Sequence, residues 1–153
     1  VKSLIRIITG AKVEYAAELE RIDFSLAREW LSQTYWSKGI SRQRVEDGFR
    51  SSTAVVSAHC GGQMKGIARC LSDTTRFGYI ADVYVAPDMR GKGVAREMVR
   101  HLMQRPALRN TEHWYLLTRD AHEVYSKLGF RVYDKPERFM HLDRSGKLRR
   151  GKT

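Results

Sequence analysis

The run Asp88-Met89-Arg90-Gly91-Lys92-Gly93 lies between an apolar stretch, Val83-Tyr84-Val85-Ala86, and a segment with helical periodicity. In that segment Val94, Ala95, Met98, Val99, Leu102 and Met103 recur at three and four, which predicts a helix ending before Pro106. Two glycines and two cations therefore sit at the first turn of a helix that follows a buried strand. Such a turn carries N–H groups without intrahelical acceptors and a partial positive charge. Glycine lets a phosphate approach the backbone, while Arg90 and Lys92 add charge, so a pyrophosphate ligand is the physical expectation. On these residues alone, the reading in which Gly91 and Gly93 merely shape a turn stays open. The spacing is neither the dinucleotide fingerprint nor the nucleotide-triphosphate P-loop.

The elements that position this turn can be read along the chain. A first strand falls within residues 3–18, from either Leu4–Ile8 or Val13–Tyr15. Phe24, Ala27, Trp30 and Leu31 predict a short amphipathic helix, broken by Tyr35-Trp36-Ser37-Lys38-Gly39. Ser41 is the expected N-cap of a second helix that turns Val45 and Phe49 inward. Thr53–Cys60 and Met64–Leu71 form a hairpin about Gly61-Gly62, and Phe77–Ala86 is a third β segment after a polar loop at Asp73-Thr74-Thr75. Beyond the helix at Val94, Trp114–Thr118 is a strand, Ala121–Leu128 a short helix with Gly129 as C-cap, and Phe130–Tyr133 and Arg138–Leu142 are closing strands. The order is mixed α/β, with crossover connections after the fourth and fifth strands.

The chain has 153 residues, enough for one domain with its own core. Residues 1–143 form that domain, and 144–153 are a basic tail expected to be flexible. The tail supplies five units of the net charge of +11, and the remaining +6 on the body suits a polyanionic ligand. No stretch approaches the roughly 18–20 apolar residues of a membrane span. Leu4–Ile8 is too short and too charged for a signal-peptide core. Cys60 sits at the hairpin turn and Cys70 about seven residues up the returning strand, roughly 23 Å away at ~3.3 Å per residue. A disulfide spans only about 7 Å between Cα atoms. Two free thiols point to a reducing, cytoplasmic compartment.

Asp88 to Gly93, set on the pattern Gln/Arg-x-x-Gly-x-Gly/Ala after the Val83–Val85 strand, resembles the acetyl-CoA-binding motif of the GNAT N-acetyltransferase superfamily. Asp120 to Phe130, with Ala121, Tyr125 and Leu128-Gly129-Phe130, is similar to that family's second motif. The resemblance covers roughly residues 20 to 142. It implies a central mixed, mostly antiparallel sheet with splayed fourth and fifth strands, flanked by about four helices. It also implies transfer of an acetyl group from acetyl-CoA to a primary amine, by direct transfer in a ternary complex and without a metal. The backbone of Val83, Tyr84 and Val85 would pair with the pantetheine arm, and Arg90, Gly91, Lys92, Gly93, Val94 and Ala95 would hold the pyrophosphate. Tyr125 would protonate the departing thiolate. Two positions depart from the pattern. Asp88 brings a negative charge near the phosphate site, and Thr118 stands where a cofactor-contacting Asn is common, although it can still cap the helix.

Tyrosine suits the acid role because its ordinary pKa is close to that of a thiol. Tyr125 read without the motif is a core aromatic. Asp82 is the family-like candidate base, yet Arg69 falls nearly opposite it, so a cross-strand ion pair is an equal reading. His122, one helical step from Tyr125, is either a neutral proton acceptor or a solvated surface residue. Tyr35, Trp36 and Lys38 would contact the acceptor or, as aromatics in a loop, anchor on the sheet. His59, His101, His113 and His141 have no metal-ligand spacing. The charge argues against polycationic acceptors, and a homodimer is left open. The competing classes are a nucleic-acid- or ribosome-associated protein drawn by the basic tail, one that acetylates tRNA or a ribosomal protein, and a non-catalytic acyl-CoA-binding module.

Overall fold

The computed structural model describes residues 11–146. Five strands, β1 (Glu14–Ala16), β2 (Ala54–Cys60), β3 (Gln63–Ser72), β4 (Phe77–Val85) and β5 (His113–Tyr115), form one sheet in sequential order. All neighbours are antiparallel except β4 and β5, which run parallel through a helical crossover. Four helices flank the sheet: α1 (Phe24–Leu31), α2 (Arg42–Arg50), α3 (Val94–Met103) and α4 (His122–Ser126). No helix among the described residues is long and apolar enough to cross a membrane.

Local chemistry sets the helix starts. Asp23 Oδ1 accepts from the Leu26 amide at 3.0 Å, and Ser41 Oγ from the Arg44 amide at 3.3 Å, each satisfying a first-turn donor. Alternation along the strands then sorts side chains to two cores. Val55 and Ile67 face α1 and α2, packing with Phe24, Leu31, Val45 and Phe49. Val56, Ala68, Ile80 and Val85 face the other way, against Met98, Val99 and Leu102 of α3.

β4 and β5 pair only over Phe77↔His113, Gly78↔Trp114 and Tyr79↔Tyr115. β4 runs on to Val85 along β3, so past Tyr79 its other edge has no strand partner among the described residues. A bulge lies within that stretch. The β3–β4 register shifts between Ile67 and Arg69, and Asp82 takes the left-handed φ of 53°. Gly78 is required by a close approach, because Trp114 ring atoms lie 2.5 Å from where a Cβ would stand.

The first strand falls within its expected bounds, and two other expectations change. β1 is Glu14–Ala16, overlapping the Val13–Tyr15 candidate, whereas Leu4–Ile8 lies outside the described residues. β5 stops at Tyr115 and α4 at Ser126, both shorter than the sequence pattern suggests. Phe130–Tyr133 and Arg138–Leu142 are not strands. Pro136 opens a 3-10 turn that extends through Arg138, consuming the start of the second segment. Phe139 instead packs edge-on against Tyr115 and Tyr133, at centroid distances of 6.0 and 5.0 Å. Cys60 and Cys70 are both free thiols, as their spacing requires.

Candidate active site

β4 delivers the chain into the phosphate-type turn. Pro87–Met89 makes a single 3-10 turn with Met89 buried beneath it. Gly91 and Gly93 then adopt φ of 74° and 78°, a region that favours glycine, and Gly93 caps α3 with no side-chain acceptor. The first α3 amide to find an intrahelical partner is that of Glu97, which donates to Gly93 O at 3.0 Å, so the amides ahead of it are free for a ligand.

The side chains around this turn do not all serve it. Arg90 is folded back: its Nε donates to Val85 O at 3.0 Å and its guanidinium lies 5.3 Å over the Tyr84 ring. Lys92 is exposed. Asp88 pairs with Lys65 Nζ of β3 at 2.8 Å, and that bond holds its carboxyl below the usual carboxylate range. The departure from the family pattern is therefore neutralised by a partner on the sheet. Arg96 was not singled out by the sequence reading. Its guanidinium comes within 3.3 Å of the Gly93 Cβ position, and its buried Nε has no hydrogen-bond partner. A buried donor without a partner is costly unless a ligand supplies the acceptor. The sequence signal was available, since the i−4 and i+4 neighbours, Lys92 and Arg100, are both basic and cannot pair with it.

Val83 and Val85 point into the α3-side core, and Tyr84 stacks on Trp30 at 5.1 Å on the opposite face. These packed side chains hold the strand rigid while its free edge faces the gap toward β5. Thr118 Oγ1 accepts from the Ala121 amide at 3.0 Å, opening the α4 turn. Tyr125 follows on α4, only 9% exposed and edge-on to Phe130 at 6.0 Å. Burial, with a smaller contribution from nearby Tyr35, pushes its hydroxyl up to about 12. His122 is exposed at the first residue of α4.

The loop between α1 and α2 straddles the parting of β4 and β5. Trp36 Nε1 donates to Asp82 Oδ1 at 3.2 Å on the β4 side. On the β5 side the Arg119 amide donates to Tyr35 Oη at 3.0 Å, and the Arg119 guanidinium lies 4.0 Å over the Tyr35 ring. Arg69 Nε donates to the second Asp82 oxygen at 2.7 Å. The structure thus brings Tyr35, Trp36 and Asp82 together, with Tyr125 nearby; Lys38 is exposed on the same loop. A groove of about 810 Å³ runs along β5 and α4 and shares Thr118, His122 and Tyr125 with the candidate site, its other lining including Trp114, Phe130 and Tyr133. None of residues 83–95 lines it, and it occupies the side of β5 where closing strands do not form.

A sheet parted beside a glycine-shaped, cationic helix start, with a buried tyrosine across the gap, defines the GNAT type of acetyltransferase fold. The chain belongs to the acetyltransferase (GNAT) family, whose model matches residues 16–130. It is similar to a protein of the GNAT family from Xanthomonas campestris pv. campestris, at 28% identity over 86% of this chain and 93% of that one, with a TM-score of 0.78. A predicted acetyltransferase from Clostridium acetobutylicum, in a crystal structure with acetyl-CoA, is 21% identical over 86% of this chain and 96% of that one, with a TM-score of 0.66. AAC(6')-Iy in complex with a bisubstrate analog shares the fold at 14% identity, covering 87% of this chain and 98% of that one, with a TM-score of 0.66. No curated protein matches the sequence.

Proposed function

We propose that this GNAT acetyltransferase is an acetyl-CoA-dependent N-acetyltransferase acting on a primary amine by direct transfer in a ternary complex. The observation that carries the reading is the open edge of β4 beyond Tyr79, leading through the Pro87–Met89 turn into the Gly91–Gly93 helix start. A strand-like pantetheine arm pairs with that edge at Val83 and Val85. Its pyrophosphate then meets the free amides of Gly91 to Ala95 and Arg96, whose buried Nε has no protein acceptor. The solved structure with acetyl-CoA and the one with a bisubstrate analog support a shared site of this type.

Bound acetyl-CoA supplies the acyl group: the amine nitrogen bonds to the thioester carbon, the C–S bond breaks, nitrogen loses one proton and sulfur gains one. Tyr125 Oη holds the proton that passes to sulfur, and the phenolate is reprotonated from the medium. With the phenol at about 12 and a thiol near 8.5, full transfer even to the departed thiolate is uphill by about 5 kcal/mol, and transfer to the much less basic thioester sulfur ahead of cleavage is steeper still. The proton therefore moves only as charge develops on sulfur. Asp82 positions Trp36, and Tyr35 and Trp36 wall the acceptor.

The test is thiol release from acetyl-CoA over a panel of amines, comparing the parent with Tyr125→Phe. Turnover should fall by about a hundredfold or more, while coenzyme A affinity by calorimetry stays within a few-fold. Undiminished turnover would remove Tyr125 from the role.

A further inference from the structure

We infer that the acceptor is a weakly basic amine, of the kind presented by the α-amino group of a peptide or amino-acid amide, and not a lysine-type alkylamine. The inference rests on the acetyl-transfer reading above and concerns the chemistry of the acceptor slot. The slot lies beneath the α1–α2 loop, between its anchor on Asp82 and its anchor on the Arg119 amide.

The charged groups there come from every side. From β4 comes Asp82, whose side chain is 13% exposed and whose two oxygens are both taken, by Arg69 and by Trp36. From β3 comes Arg69, fixed further by bonds to Gly48 O and Ser52 Oγ and by the Phe49 ring 5.9 Å away. The β5–α4 loop adds Arg119, paired with Asp120 at 3.2 Å. Tyr79 on β4 and Tyr125 on α4 are phenols held protonated by burial. His122 is exposed at the α4 start, and Lys38 is exposed on the loop. The two carboxylates that these contacts place at the slot, Asp82 and Asp120, are each occupied by an arginine.

An arriving ammonium ion thus meets two guanidinium groups, while the one buried carboxylate, Asp82, has both oxygens bonded and Asp120, bonded through Oδ2 alone, stands in solvent beside its arginine. The half-exposed rings of Tyr35 and Trp36, edge-on at 4.9 Å, offer an aromatic wall suited to an uncharged group beside an apolar side chain. The amine must enter neutral. At about pH 7.5 an alkylamine of pKa ~10.4 is neutral in about one molecule in 800, whereas an α-amine of pKa ~7.7–8.0 is neutral in about one in three. The slot therefore prefers the α-amine by a few hundred-fold from titration alone.

The test uses the full chain with acetyl-CoA and two matched pairs of acceptors. Alaninamide is compared with sec-butylamine, and a lysine-free peptide with a free amino terminus with an N-acetylated peptide carrying one lysine. At about pH 7.5, kcat/KM should favour the α-amine of each pair by about a hundredfold or more, with the ratio falling as pH rises toward about 9. A ratio near one overturns the inference. So does a rising limb shared by both acceptors whatever their own pKa, which is the signature of Asp82 or His122 taking the proton from a bound ammonium. Coenzyme A binding without transfer to either α-amine also overturns it, while leaving the cofactor site intact. Absence of coenzyme A binding by calorimetry instead sinks the acetyl-transfer reading itself.

Discussion

Arg69 and Asp82 meet at 2.7 Å across β3 and β4, although the backbone register sets Arg69 opposite Ala81. The offset is absorbed by the bulge, where the φ of 53° at Asp82 turns its carboxylate back onto the α1–α2 face. One ion pair thereby joins β3, β4, α2 through Gly48 and the α1–α2 loop through Trp36.

Arg69→Met should lower unfolding stability by about 2–4 kcal/mol, because it strands a largely buried carboxylate whose partial exposure softens the usual penalty. Trp36→Phe removes only one hydrogen bond at a half-exposed ring and should cost about 1 kcal/mol or less. Urea titrations of both variants measure the gap. Equal losses would mean that the pair does not organise the site.

Arg96 and Arg90 make a second contrast. Arg90 is already spent on Val85 O, whereas Arg96 Nε is buried without an acceptor. A charge-assisted bond is worth about 1.5–3 kcal/mol, so Arg96→Leu should weaken coenzyme A binding by about ten- to a hundredfold. Its melting temperature should fall only slightly, since the Arg96 Nε makes no protein hydrogen bond that could be lost. Arg90→Leu should show the opposite balance, a lower melting temperature with a smaller change in affinity. Calorimetry and thermal melts on the two proteins decide it.

The buried acids predict an alkaline limit. Burial pushes the Cys70 thiol up to about 11 and the Tyr125 phenol to about 12. Both folded-state values lie above those of the unfolded chain, so the associated stability is complete below about pH 9 and is lost as pH rises through 11 to 12. A shift of about two units corresponds to about 3 kcal/mol for each group. The urea midpoint should be level from about pH 7 to 9 and fall steeply above it. Cys70→Ala should flatten the early part of that fall even if its starting stability is lower. An unchanged slope in that variant would show that the thiol does not titrate with unfolding.

Much of this arrangement was legible in the residues. Ser41 as a cap, Val45 and Phe49 as the inward face, and Gly61-Gly62 as a hairpin turn follow local rules that tertiary packing did not override. The Gly91–Gly93 helix start was equally plain, because positive φ and missing side-chain caps are what glycine signals. Local rules failed where distant parts decide. Phe139, Met140, His141 and Leu142 read as strand, but Pro136 and the seat of Phe139 on Tyr115 divert the chain, and Met140 is left 96% exposed. The bulge at Asp82 had no glycine to announce it. Arg96 was hidden for another reason: an arginine in an amphipathic helix is usually solvated, and only its basic neighbours set it apart.

The parting of β4 and β5 depends on three rungs, and the middle one pairs Gly78 with Trp114. A Cβ at Gly78 would stand 2.5, 2.6 and 2.9 Å from three Trp114 ring atoms, closer than real contacts allow. The ring cannot swing away freely, because it packs against the α3-side core. Gly78→Ala should therefore cost about 1–3 kcal/mol, as overpacking in a closed site does. It should also alter the near-ultraviolet circular dichroism of the indole. Turnover should fall with it, since the next rung, Tyr79↔Tyr115, is the last before β4 and β5 part. Adding Trp114→Leu removes the colliding ring, so the double variant should recover part of the loss that Gly78→Ala causes alone. A double variant whose two losses simply add would show that the indole and the glycine are not in contact, and that another feature sets where the strands divide.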